Sequence, residues 1–268
     1  MTGAPRKHAI RVVFGTIRAV GDDPPRGGEF LVTGDGTAER AGHLAPVALP
    51  GGDPALREPW RMAAAYLDAA GLDTDALADG VLGVRDRNAG QWPAALAMTR
   101  RRIKAPFTAS AGVLFGAAAA LLDLCDEVGD AGRAARDLER LADPAETGAY
   151  PSAIGPYRPP SREYRPPGGP GTQDGAGTFA VNGADLVRSA FTDLVAGVPR
   201  PVIAARFHHG VAAAIEAACL RLSEHRGAGA VTLDGDLFGN ALLRGAVVSR
   251  LETLGLAVRV QSQVDSSR

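Results

Sequence analysis

Three short stretches of this chain carry residues that could do chemistry. The first is "VTLDGDLFGNALL", residues 231–243, where an apolar run ends in Asp234, Gly235 and Asp236 and Asn240 follows four residues later. A strand that turns through glycine into a helix lets backbone approach a ligand, and the helix start offers N–H groups to an anion. Two carboxylates at the turn would repel a bare phosphate. The same residues therefore also read as an ordinary turn with Asp236 as the helix N-cap.

The second stretch is "FHHG", Phe207 to Gly210. Adjacent imidazoles on a helix project about 100° apart and chelate one metal poorly. The plain expectation is one histidine at a helix start facing a cleft and the other in solvent. His8, His43 and His225 are isolated, and no HxxxH, HExxH, GxSxG, Walker A or GxGxxG pattern occurs. The third stretch is "GGDPALREPWRMAAAYLDAAG", residues 51–71. Pro59 suits a first helical turn, Trp60 can anchor it, and Arg57 and Glu58 are free to pair or to face a site. Cys125 and Cys219 form no CxxC pair and sit in apolar runs, which predicts buried structural thiols.

These residues need elements to hold them. "AIRVVFGTIRAVG" predicts a first strand, and "GGEFLVTGDGTAERAGHLAPVALP" a hairpin turning at "GDGT". From Pro59, the residues Trp60, Ala63, Ala64 and Leu67 fall on one helical face, and Gly71 ends the helix. Residues 73–98 predict short helix with a polar break at "RDRNAGQ". "TASAGVLFGAAAALLDLCDEV" and "DAGRAARDLERLAD" predict two more helices. From Pro144 to about Gly177 the chain is rich in Pro and Gly and loses apolar periodicity, as a linker does. Helical pattern returns in "NGADLVRSAFTDLVAGV" and "VIAARFHHGVAAAIEAACLRLSEHRG", and "LAVRVQSQV" predicts a last strand. The expected organisation is an α/β lobe over 1–145, a linker over 146–177 and a second α/β lobe over 178–268.

The chain has 268 residues, 46% of them apolar, only 5% aromatic, and a formal net charge of -1. A balance this close to neutral gives no basic face for nucleic acid and no polybasic membrane anchor. The basic cluster Arg100, Arg101, Arg102 and Lys104 reads as a solvated helix end. The uncharged run 105–122 contains Pro, Gly, Ser and Thr and is mostly alanine, so it predicts a buried helix rather than a membrane span. With no apolar signal core at the N-terminus, a cytoplasmic setting is expected.

Several of these pieces occur together in a recognisable order: "GGEFL", "ALPGGDPALREPWRMA", "ASAGVLFGAAAALL", "LADPAE", "ARFHHGVAAA" and "VTLDGDLFGNALL". The series resembles the C-terminal carbamoyltransferase module of the HypF family of hydrogenase maturation proteins, over about Phe14 to Val260. The resemblance implies an α/β fold of the two-lobed actin-like/Hsp70-ATPase-like (ASKHA-type) class. It implies ATP or a carbamoyl-adenylate held between lobes beside a divalent metal. The carbamoyl group would pass to a cysteine of a hydrogenase-maturation partner protein. Ser110, Gly112, Asp234, Gly235, Asp236 and Asn240 fall at the nucleotide-binding positions, and Arg57, Glu58 and His208 at cleft positions.

The departures bear on the metal. The family's HHxAH pair belongs upstream of the first strand, and His8 alone does not replace it. The place of its "FDGTG" reads Phe14-Gly15-Thr16, and its "SGG" reads Asp234-Gly235-Asp236. In "ASAGVLFGA" an arginine has become Val113 and an aspartate Gly116. The terminal "NDGG" segment and the acylphosphatase-like, zinc-finger and YrdC-like domains have no counterpart in these residues. No metal is therefore expected, with catalytic residues unassigned. Two functions follow. One is carbamoyl transfer completed by a YrdC-like or HHxAH-bearing chain. The other is a catalytically inactive scaffold or binding protein that keeps the fold.

Overall fold

The computed structural model describes residues 8–17, 26–34, 36–130, 132–157 and 172–261. The predicted hairpin is present. After β1 (Ala9–Ile17) come β2 (Arg26–Gly34) and β3 (Thr37–Leu44), antiparallel, with Gly34 opposite Thr37. A two-residue strand, β4 (Val47–Ala48), then leads into α1 (Pro54–Arg57) and α2 (Pro59–Ala69). Gly71, at φ +74, follows the end of α2, in the left-handed conformation that glycine adopts without strain.

Short helices α3 (Gly83–Arg87) and α4 (Trp92–Arg101) follow. The expected polar break is thus partly helical, because Arg85 turns inward and ties the preceding loop. Its guanidinium donates to the carbonyls of Thr74, Leu77 and Ala78 at 3.0, 2.7 and 3.0 Å. Then come β5 (Phe107–Thr108), α5 (Ala111–Leu121) and α6 (Arg133–Leu141). Ten of the eleven residues of α5 are buried, as its alanine-rich sequence requires. No helix among the described residues is long and apolar enough to cross a membrane.

The remaining elements are β6 (Ile154–Pro156), β7 (Thr172–Val181), α7 (Gly183–Val195), α8 (Arg200–Arg226), β8 (Ala230–Asp234), α9 (Ala241–Thr253) and β9 (Ala257–Val260). They join the earlier strands in one sheet of order β6-β7-β3-β2-β1-β8-β9. β1 pairs parallel with β8 and β3 parallel with β7. The division expected at 146–177 therefore does not separate the strands of the described residues, and that stretch itself supplies β6 and the start of β7. Proline and glycine mark where apolar periodicity stops, and sheet hydrogen bonding ignores that boundary. Residues 158–171 of that stretch lie outside the described residues.

Ile10, Val12 and Phe14 of β1 are buried at 0, 0 and 1% exposure. Helices α5 and α8 both pack on β1. Cys219 is buried as expected, whereas Cys125 is only half-buried, and burial pushes the two thiols up to about 12 and about 11. Neither thiol is poised to act as a thiolate nucleophile at neutral pH.

Candidate functional site

A cavity of about 330 Å³ opens where α5, α6 and the β8–α9 turn meet. Its wall includes Gly112, Asp130, Arg136, Glu139, Asp236 and Asn240. Beside it lies a narrow apolar crevice with Leu56, Pro59, Met62, Val113 and Gly116, and Gly112 borders both.

The β8–α9 turn builds one side. β8 ends at Asp234, whose carboxylate pairs with the Arg11 guanidinium, with Nε at 2.9 Å. Asp234 is thus tied to β1. Gly235 takes φ +108, and a methyl group there would collide with the carbonyl oxygen of Phe14. The glycine is needed for close approach to β1, which is a packing reason. A single 3₁₀ turn, Asp236–Gly239, follows, and α9 begins only at Ala241. The N-cap is therefore Asn240, whose Oδ1 accepts from the Leu243 N–H at 2.8 Å, and the expectation for Asp236 is corrected. The physical reason is the 3₁₀ turn, which delays the helix by four residues. The Asp236 carboxylate folds back over β1, close enough that a methyl on Gly15 would strike its Oδ1.

Asn240 is 5% exposed, and its amide is in use within the protein. Besides capping α9, its Nδ2 donates to His208 Nε2 at 2.9 Å. His208 lies in the interior of α8, fully buried, and its Nδ1 donates to the Ala204 carbonyl at 2.7 Å. Its ring meets Phe115 edge-on at 5.3 Å. Burial lowers its pKa from 6.5 to about 4, so the ring is neutral at pH 7. With both nitrogens occupied, His208 is a structural bridge between α8 and α9, and the cleft role expected for it is corrected. His209 is half-buried, with Nε2 3.0 Å from the Glu146 carbonyl.

Arg57 and Glu58 do not line the cavity. Glu58 joins α1 to α2 and pairs with Arg61, whose guanidinium lies 4.7 Å above the Trp60 ring. Trp60 in turn stacks on Trp92 at 6.3 Å. Ser110 is buried as the N-cap of α5, donating to the Gly15 carbonyl at 2.7 Å and accepting from the Val113 N–H at 3.3 Å. Of the positions singled out in the sequence, Gly112, Asp236 and Asn240 reach the cavity wall.

Sequence reasoning missed Asp130, Arg136 and Glu139. Arg136 Nη2 holds both oxygens of Asp130 at 3.0 and 2.9 Å, and this keeps the Asp130 carboxyl below its usual range. Glu139 Oε1 accepts from the N–H groups of Ala241 and Leu242 at 2.6 and 3.3 Å. The available signal was helical spacing, since residues three apart on α6 share a face.

The family model described as "Carbamoyltransferase, Kae1-like Domain, second subdomain" matches residues 21–267. The chain belongs to the HypF carbamoyltransferase family. It is 35% identical over 263 residues to "Carbamoyltransferase HypF2" of Cupriavidus necator, an alignment covering 91% of this chain and 30% of that protein. It is 36% identical over 218 residues to "Carbamoyltransferase HypF" of Rhodobacter capsulatus, covering 81% of this chain and 25% of that one. The crystal structure of full-length HypF in its phosphate- and nucleotide-bound form shares the fold, with a TM-score of 0.78 at 22% identity over 97% of this chain. The chain thus spans about a third or less of the relatives it matches.

The family resemblance implies a divalent metal beside the nucleotide. Among the described residues no three His, Cys, Asp or Glu side chains converge to hold a metal. His208 has no lone pair left to give. These residues do not fit that group.

Proposed function

We propose that this chain is one part of a carbamoyltransferase of hydrogenase maturation. It supplies the wall that receives the nucleoside end of ATP or of a carbamoyl-adenylate. The carbamoyl group passes to a cysteine of a maturation partner. The observation that carries this reading is the cavity at α5, α6 and the β8–α9 turn, bordered by Gly112, Asp236 and Asn240, three positions the resemblance assigns to nucleotide binding. The chain's own contribution is to bind and orient. α5, with 10 of 11 residues buried, and the Asn240–His208 bridge hold that wall in place. The parts that make the donor, YrdC-like and HHxAH-bearing, belong to a further segment, supplied in the test as a complementing chain.

The test is reconstitution. The chain is mixed with such a complementing chain, ATP, carbamoyl phosphate and a peptide ending in cysteine, and the peptide mass is followed. Carbamoylation that needs both chains is the expected result. Silence, where a full-length relative is active under the same conditions, overturns the transfer reading. A second reading, a non-catalytic scaffold that keeps the fold, is favoured by one observation. The polar groups of His208 and Asn240 are already engaged with each other and with backbone.

A further inference from the structure

Helix α8 carries His208 beside the cavity described above and runs on toward the start of β8. Arg221 stands roughly 20 Å further along it, at the helical rise of about 1.5 Å per residue. There a second space of about 200 Å³ opens between α8 and the strands β3 and β7. Ala41, Gly177 and Phe179 border it from the strands, and Arg221, His225 and Arg226 from the helix. Its floor is firmly held. Phe179 is 1% exposed and lies so close to Gly42 that a methyl group there would strike its ring. The Arg221 guanidinium rests 5.7 Å from the centre of that ring. Stacking on an aromatic ring orders an arginine fork before any ligand arrives.

The charges here do not cancel. Arg226 Nη2 donates to Glu39 at 2.7 Å, and that pair is neutral. Arg221 makes its ring contact with Phe179 and, among the described residues, no ion pair or hydrogen bond. His225, one turn on, has no such partner among them either. No carboxylate among the described residues borders the space. Cations in the last turn of a helix are stabilised by its negative end, which accounts for His225 and Arg226. Arg221 lies before that turn, where the effect has faded, and its five N–H donors are left for a ligand. The size narrows the choice. Pockets for drug-sized molecules begin at about 300 Å³. This space has room for about six waters at ~30 Å³ each, and so for a small anion.

We infer that this space is an anion site for a phosphate group, with the Arg221 fork as its principal donor and His225 and Arg226 beside it. A planar carboxylate satisfies one fork. A tetrahedral phosphate also has oxygens to turn toward the two neighbouring donors, and it carries more charge. The three side chains are exposed at the rim, so either free phosphate or the phosphate of a monoester can enter. The site lies apart from the nucleoside wall and does not depend on the function proposed above.

The experiment is a phosphorus NMR titration of the full chain with inorganic phosphate and, separately, with methyl phosphate, at fixed ionic strength. Saturable binding of one phosphate is expected, with a Kd of about 1 mM or tighter. Tighter binding of inorganic phosphate assigns the site to the free anion, and tighter binding of methyl phosphate to the phosphate of a larger molecule. Arg221→Gln, at an exposed position, should weaken binding by about tenfold, the loss expected for a charge-assisted pair. Arg221→Lys keeps the charge without the fork and should recover only part of the affinity. Arg101→Gln removes the same charge from the exposed end of α4 and should stay within about twofold, because distant exposed charges are screened. Equal losses in Arg101→Gln and Arg221→Gln overturn the site in favour of diffuse charge. So does the lack of saturation by either phosphate up to about 10 mM. Acetate competing as well as phosphate overturns the choice of phosphate. Each of these outcomes leaves the carbamoyltransferase reading standing.

Discussion

Two helix starts in this protein look alike in the sequence and do different work. At the start of α2, the run Arg57-Glu58-Pro59-Trp60 follows a glycine turn. At the start of α9, Asp236 to Asn240 also follows a glycine turn. The first is an anchor: Trp60 is 2% exposed, stacks on Trp92 and has the Arg61 guanidinium over its ring. The second is a wall of the cavity, where the N–H groups of Asn240, Ala241, Leu242 and Leu243 are already matched by a side chain or carbonyl. The most legible motif of the sequence thus holds the fold together. The site is built partly by Asp130, Arg136 and Glu139, which pattern alone does not mark.

The sharpest way to break this contrast is to remove the anchor. Trp60→Ala should cost about 3–5 kcal/mol, the usual range for deleting a buried tryptophan, read from the midpoint of a urea unfolding curve. A loss below about 1 kcal/mol would mean that α2 does not depend on the Trp60–Trp92 pair.

The bridge beneath the α9 start should show itself through pH. In the unfolded chain His208 takes up a proton near 6.5, and in the folded protein only near 4. Between those values the unfolded state binds more protons, so stability falls as pH drops through that window, by on the order of 3 kcal/mol in all. Above pH 6.5 this contribution is fully present. His208→Gln should be less stable at pH 7 and should flatten the slope between pH 6.5 and 4. An unchanged slope would show that His208 is not held neutral by burial.

The smallest effect is expected at Arg57 and Glu58, which the sequence left free to pair or to face a site. Glu58→Ala and Arg57→Ala should each change stability by under about 1 kcal/mol, the range of exposed and half-exposed ion pairs. Adenosine affinity should be unaltered in both. A tenfold loss of adenosine binding in either variant would move the site toward α2 and erase the distinction drawn above.

Much of the fold was legible. The hairpin at Gly34–Thr37, the α2 helix ended by Gly71 and the buried α5 follow from turn chemistry, helical spacing and composition. What was not legible was long-range. Nothing in "AIRVVF" says that its partner is "AVTLD" at the far end of the chain, because hydrophobic pattern fixes which face is buried and not which neighbour is bonded. The site was half-legible for the same reason. Gly112 and Asn240 stand in motifs, whereas Glu139 matters only because α6 lies across the start of α9. His208 misled because a buried, doubly bonded imidazole and a ligand imidazole have the same letter.

The parallel pairing of β1 with β8 also sets the order in which the molecule can be made. Ala9 bonds across to Ala230, so the inner edge of β1 has no partner until roughly two hundred more residues have left the ribosome. At about 5–20 residues per second that wait lasts on the order of ten to forty seconds. During it, β1 and β2 can form their hairpin, but the other side of β1 is an open strand edge with Ile10, Val12 and Phe14 awaiting cover. Such an edge is a template for pairing with another chain. Pairing with β8 is what closes that edge.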